Sequence, residues 1–394
     1  MLNQKKLYEQ LKQISALNEP LLEIPPDKLQ MQEEINSEFY REIAPILPGY
    51  PLVEPYRLKS ENFPDDFAII GVDGSPYTAS PPNYRSSFSV TNTAVFSFFP
   101  KQNEYDFRIY TNVYPNNDED EFMLKEDATL YMLADEVAGA AKFISEEITG
   151  PVVILFDGMT YSALDSYLTR QRLGVTQDAS KHASNEIYRS AIELIHKYGA
   201  LSAVVSSQPR TSYISPVVQY NACPYKDNLT MPMNCHLCRE KKAGYNFECE
   251  PYRNVTDATY LRSVIESEFE DHRRLFISAP IQSRKDKISR YFLHPGNRWY
   301  VRCDFDPSIL SESPEQIQLL MDAVGMQMLL GGGYPYVIHH AHHLSTIQGD
   351  SREKIEALSY KFGLFAPTPK TLGKRRLSVK SGRSLDSRRL QGGD

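Results

Sequence analysis

The sequence predicts an α/β fold, and three observations carry that prediction. Two strongly apolar runs, Phe67–Val72 and Pro151–Phe156, each close on Asp-Gly, at Asp73-Gly74 and Asp157-Gly158. Between them, from about Met123 to Glu147, apolar residues recur at helical spacing. Beyond residue 157 the chain again alternates helix-like and strand-like stretches, the order from which layered α/β domains are built.

Taken in order, residues 1–46 are polar and helical in pattern, broken at Pro25-Pro26. With the stretch to residue 60 they are expected to form an N-terminal helical arm. The first apolar strand ends at Asp73. Ser87–Phe99 and Tyr105–Tyr114 follow, rich in β-branched and aromatic residues, so the three runs read as an antiparallel meander. The acidic stretch Asn116–Glu121 reads as a turn. Leu130, Leu133, Val137, Ala141 and Ile144 then mark the buried face of a helix that also carries Asp135 and Glu136.

After the second Asp-Gly strand, Asn185–Tyr198 reads as a helix and Leu201–Ser206 as a strand. Residues 208–258, rich in Pro, Asn, Tyr and Cys, lack aliphatic periodicity and read as an insertion. Trp299–Phe305 is strand-like. Pro314–Leu330 is a helix with proline at its first position, where the missing N–H costs nothing. Gly331-Gly332-Gly333 stops it, and Tyr336–Thr346 is the next helix. From Ala366 the chain loses every apolar face, and disorder is expected there. The body is thus 61–365, and the tail 366–394.

Composition limits the function. The chain has 394 residues, 41% apolar and 24% charged, the profile of a soluble globular protein. No uncharged run reaches the roughly 18 residues that span a bilayer, and no apolar stretch follows the start, so a cytoplasmic protein without membrane contact is expected. The net charge of −7 argues against a general nucleic-acid coat. The tail carries eight Lys or Arg against two Asp, net +6, which leaves −13 on residues 1–365. Such a tail is either a solvated segment or a contact for phosphate. Five cysteines do not form a disulfide framework, and Cys303, alone in its strand, reads as a core residue.

Three constellations could carry chemistry. A single Asp-Gly is usually a tight turn. Two of them, each after a buried strand, would bring Asp73 and Asp157 together if the strands are neighbours, and paired carboxylates are a common seat for a divalent cation. Second, Gly331–His343 holds four of the nine histidines within five residues; on a helix His339 and His343 share a face with His342 close by. Third, Cys223, Cys235, Cys238 and Cys249 include one Cys-x-x-Cys pair. Four thiolates suit structural zinc; scattered reduced cysteines are the plainer alternative, and a redox pair fits less well because no strand leads into it.

The motifs together resemble the NurA nucleases, which process DNA ends beside the hexameric ATPase HerA. The matching pieces are Val72-Asp73-Gly74-Ser75, Leu155-Phe156-Asp157-Gly158, Tyr300–Pro307 and Gly333-Tyr334-Pro335-Tyr336 with Ala341-His342 behind it, in order across about 67–350. The resemblance implies an RNase H-like mixed sheet flanked by helices. It implies one or two Mn²⁺ or Mg²⁺ ions held by Asp73, Asp157 and a helix glutamate. Glu136 is the candidate, with Asp135 and Glu126 as alternatives. It also implies site roles for Tyr334 and His342, phosphate contacts from Arg302, a homodimer, a HerA-like partner and DNA as substrate. Where family members often place a lysine after the strand following the second aspartate, this chain offers Arg210. The other readings are a non-catalytic nucleic-acid adaptor on the same fold and the same nuclease used in antiviral defence.

Overall fold

In a computed structural model of the chain, the two Asp-Gly runs are neighbouring parallel strands. The structure describes residues 47, 49–59, 63–79, 88–115, 125–158, 195, 197–207, 211, 213–214, 255–284, 287–297, 299–306, 314–347 and 349–361. Of the expected N-terminal helical arm, residues 1–46 lie outside the described residues, whereas Val53–Pro55 near its end form a strand and not a helix; the acidic turn, most of the 185–198 helix, nearly all of the insertion and the basic tail also lie outside the described residues. So do Arg210 and all four clustered cysteines. The chain groups into two compact units, one of residues 64–201 and 337–394, the other of 1–63 and 202–336.

The first unit is built on β2 (Ala68–Ala79), β3 (Phe88–Phe99), β4 (Glu104–Pro115) and β5 (Val152–Asp157), with α1 (Lys125–Glu147) between β4 and β5. Its strands run in the order β5-β2-β3-β4; β2, β3 and β4 form the antiparallel meander, and β5 joins β2 in parallel. This meander, helix and parallel strand make the mixed sheet expected of an RNase H-like fold. A parallel strand pair flanked by a helix is buried on both faces, so its sequence is a continuous apolar run. Accordingly Ile69, Ile70, Val153, Ile154 and Leu155 are fully buried. On α1 the five residues of the expected apolar face are all buried.

One expectation needs correction. The first strand does not end at Asp73-Gly74: β2 continues to Ala79, paired with β3 down to Ala79↔Phe88. What stops there is the parallel partner, whose last pair is Val72↔Phe156. The carboxylate therefore marks the end of one ladder and the middle of another. The second run does end as expected, at Asp157, with Gly158 at φ +85° turning the chain away, a conformation that favours glycine.

Two helices complete the described part of this unit, α4 (Tyr336–Ser345) and α5 (Asp350–Lys361). The backbone of α4 passes directly over Gly71 of β2. A methyl group there would lie 2.5 Å from the Val337 carbonyl oxygen and 2.6 Å from the Ile338 amide nitrogen. Only glycine permits so close an approach. From β3, Asn92 Nδ2 donates to the carbonyls of Leu344 and Ser345 and closes the C-terminal end of α4.

The second unit holds β1 (Val53–Pro55), β6 (Leu201–Ser207), α2 (Asp257–Glu268), β7 (Phe276–Ser278), β8 (Ile281–Arg284), β9 (Lys287–His294), β10 (Trp299–Phe305) and α3 (Pro314–Leu330). Its strands run β1-β7-β9-β10-β6, all antiparallel, with β8 pairing β9. Strand β10 and helix α3 match their expected bounds; α2 and β7–β9 are additions to the sequence reading. Asp257, fully buried, takes the amides of Tyr213 and Ile214 and the hydroxyl of Tyr291 at 2.7–2.8 Å, so the two ends of the insertion are tied together at its base. Cys303 is fully buried and free, a core thiol whose pKa burial pushes up.

Candidate metal centre

The centre follows from the β2–β5 register. One step beyond Val72↔Phe156 come Asp73 and Asp157, side by side on adjacent parallel strands. His342, from the second turn of α4, joins them: ligand atoms of Asp73, Asp157 and His342 all lie within 4.8 Å of one another. Oxygen and imidazole donors that converge in this way suit a divalent cation of the Mn²⁺ or Mg²⁺ class.

Asp73 is held by two donors. His342 Nδ1 lies 2.8 Å from its Oδ2, and Ser345 Oγ donates to the same oxygen at 2.9 Å. An ionised carboxylate only accepts, so where Asp73 is ionised the imidazole donates from Nδ1 and its other nitrogen, Nε2, faces away from this bond. Oδ1 of Asp73 takes no hydrogen bond among the described residues and is left for a further ligand. The aspartate is nearly buried, whereas the His342 side chain is 60% exposed, so the centre opens to solvent on its histidine side.

Glu136 comes to the same place from α1. It is buried, accepts a hydrogen bond from the Gly74 amide, and sits so near β2 that a methyl group on Gly74 would approach its Oε1 to 2.7 Å. Burial, followed by the charges of Asp73 and Asp157, pushes its pKa well above the ordinary carboxylate range. Carboxylates packed this closely resist ionising together unless a cation joins them. The donor set therefore fits the divalent ion that the sequence implied.

Asp135, the neighbouring alternative, is already used. Thr91 Oγ1 and Tyr114 OH both donate to it, the tyrosine at 2.5 Å, which fastens α1 to β3 and β4. The Glu126 side chain lies outside the described residues. The remaining histidines of α4 divide by direction. His340 stacks on Phe96 with centroids 4.8 Å apart, while His339 and His343 meet each other on the exposed face. Desolvation and, after it, the neighbouring imidazoles lower the pKa of His339 and His340.

Two expected site residues belong to the other unit. Tyr334 lies in the glycine turn after α3, where Gly333, at φ +114°, packs against Trp299. Arg302 on β10 pairs with buried Asp304 at 3.0 Å, which balances its charge inside that unit. Sequence reasoning missed Ser345 and Asn92. Ser345 stands three residues after His342, and that helical spacing was the available signal. Asn92 had none, since its partners lie about 250 residues away in sequence.

Fold and site together define a mixed α/β protein with a carboxylate–histidine centre for a divalent cation. The model of the NurA domain matches residues 67–347, and the chain belongs to the NurA family. Solved structures similar to the chain include the NurA nuclease from Sulfolobus solfataricus, at 13% identity and a TM-score of 0.46, covering 92% of this chain and 97% of that one. A NurA bound to dAMP and manganese matches at 13% identity, TM-score 0.38, over 91% and 97%. Endonuclease V from Ciona intestinalis matches at 10% identity, TM-score 0.32, over 85% and 100%. No curated protein matches the chain.

Proposed function

We propose that the protein is a metal-dependent nuclease that hydrolyses phosphodiester bonds in DNA, at ends or in single strands. The observation that carries this reading is the convergence of Asp73, Asp157 and His342 within 4.8 Å, with the Glu136 carboxylate behind them. Membership of the NurA family supports it. Asp73, Asp157, Glu136 and His342 would hold one or two Mn²⁺ or Mg²⁺ ions, whose chemistry is to lower the pKa of a bound water and stabilise the leaving oxygen.

The chain's own residues do the rest. Ser345 and the His342 Nδ1–H fix the Asp73 carboxylate from one side, which leaves Oδ1 directed to ligand. Glu136, whose pKa is raised first by burial and then by Asp73 and Asp157, would release its proton to a bound cation, whose positive charge would offset both. His342, whose Nδ1 is engaged with Asp73, would use Nε2 either to hold the ion or to handle a proton at the edge of the site. Tyr334 and basic side chains such as Arg302 and Arg210 would contact phosphate without reading sequence.

The same reading extends to a homodimer working beside a HerA-like hexameric ATPase in DNA end processing, and to a structural Zn²⁺ on Cys223, Cys235, Cys238 and Cys249. The first rests on family membership and the second on the Cys-x-x-Cys spacing. The decisive experiment incubates the purified full chain with linear DNA and Mn²⁺, with and without the ATPase. Cleavage is expected, and Asp73→Asn or Asp157→Asn should reduce it by more than about 100-fold with DNA binding retained. Cleavage that survives both substitutions would overturn the assignment.

A further inference from the structure

Helix α4 carries a second arrangement of nitrogen donors that the carboxylate centre does not use. His339 and His343 are one turn apart, both exposed, and their Nε2 atoms lie 3.2 Å from each other. The rings are nearly perpendicular, at 85°, with centroids 4.5 Å apart. In the metal-free protein the two nitrogens share a hydrogen bond, one ring donating to the other. A cation that took the place of the shared proton would meet the same two atoms.

From this geometry we infer that His339 and His343 form a bidentate chelate for a borderline-soft divalent transition ion of the Zn²⁺ class, distinct from the carboxylate centre. Two Zn–N bonds of about 2.05 Å spanning 3.2 Å would subtend about 103°, near the tetrahedral angle. Histidines at i and i+4 on one helix face are a ready pair for zinc, and imidazole is the side-chain donor that Zn²⁺, Ni²⁺ and Cu²⁺ share. The two centres differ in chemistry: oxygen donors with one histidine suit Mn²⁺ or Mg²⁺, whereas a pure imidazole pair does not.

Among the described residues no third His, Cys, Asp or Glu completes a cage around the pair. The ion's other positions are therefore open to water or to an anionic oxygen. Occupancy would clip the last turns of α4, the segment that presents His342 and Ser345 to Asp73. This inference does not depend on nuclease activity.

The test uses tag-free full chain, stripped of metal and held in saturating Mg²⁺ to fill the carboxylate centre. ZnCl₂ is titrated calorimetrically into wild type, His339→Gln, His343→Gln and the control His340→Gln. Wild type and the control should bind one more equivalent than either chelate variant, because any zinc on the four cysteines is common to all. The Tm rise on adding NiCl₂ should likewise shrink in both chelate variants and persist in the control. Equal zinc stoichiometry in wild type and His339→Gln, or loss of the same equivalent in His340→Gln, would overturn the assignment.

Discussion

At the scale of single residues, Glu136 is a buried carboxyl whose ionised form is opposed by its surroundings. Its carboxyl is raised by burial and by Asp73 and Asp157, so between about pH 4.3 and its raised pKa the folded protein holds a proton that the unfolded chain has released. Stability in the absence of metal therefore falls as pH rises through that window. Glu136→Gln, which mimics the protonated form and can still accept from the Gly74 amide, should raise the Tm of the metal-free protein near neutral pH. The gain should close as pH is lowered toward about 4.3. The same variant should lose most of the Tm increase that Mn²⁺ gives wild type. Scanning calorimetry across pH measures both, and a variant equal to wild type at every pH would remove Glu136 from the cluster. Ser345 makes the complementary case. Its buried hydroxyl donates to charged Asp73, a bond worth about 1.5–3 kcal/mol. Ser345→Ala should lower stability by about 1.5 kcal/mol and cleavage by about 10-fold, through a weaker apparent Mn²⁺ affinity. Raising Mn²⁺ should then restore much of the rate.

At the scale of elements, the sheet and its helices were legible where one period dominated. Strands β2 and β5 announce themselves as unbroken apolar runs because both faces are covered, and α1 because its buried face repeats at helical spacing. Strand β9 was hidden by its own chemistry. It buries Ser289 and Arg290 beside Ile288 and Tyr291, so no alternation survives. Each buried polar group there has a partner that sequence does not disclose: Asp304 for Ser289, and the Ser278 carbonyl for Arg290. The extent of β2 was misjudged for a related reason, since Asp-Gly stops a strand only where both neighbours stop, and β3 does not. The element on which the site most depends is α4, and its contact with β2 is set by Gly71. Gly71→Ala would drive a methyl into the Val337–Ile338 backbone, which cannot yield as a side-chain tip could. Overpacking of this kind costs about 1–3 kcal/mol. The variant should fall at the high end of that range in chemical denaturation, and because α4 carries His342 and Ser345, cleavage should fall further than the folded fraction does. A variant with wild-type activity per folded molecule would mean that the site tolerates displacement of α4.

At the scale of the whole molecule, charge is distributed as chemistry would divide it. Asp73 and Asp157 were legible as Asp-Gly after apolar strands and His342 as part of a histidine-rich helix, whereas Glu136 was named only through the family resemblance, beside Asp135 and Glu126. The positions of Tyr334 and Arg302 were not, because a motif fixes order along the chain and not which compact unit a residue joins. The basic tail is legible only as composition, yet its consequence can be measured. Residues 366–394 carry +6 against −13 for the rest, and the carboxylates of the centre add to the field that repels a phosphate backbone. If the tail supplies the countercharge, each phosphate it neutralises contributes a slope of about −0.9 in log affinity against log salt on duplex DNA. With four of its eight basic residues engaged, deletion of 366–394 should flatten that slope by about 3–4 and weaken binding most at low salt. Single-turnover cleavage at saturating protein should stay within about twofold of wild type, because Asp73, Glu136, Asp157 and His342 all precede the tail and are retained. Fluorescence anisotropy over a salt series with both proteins decides it: parallel lines would assign the tail to solvent, and converging lines at high salt would assign it to DNA.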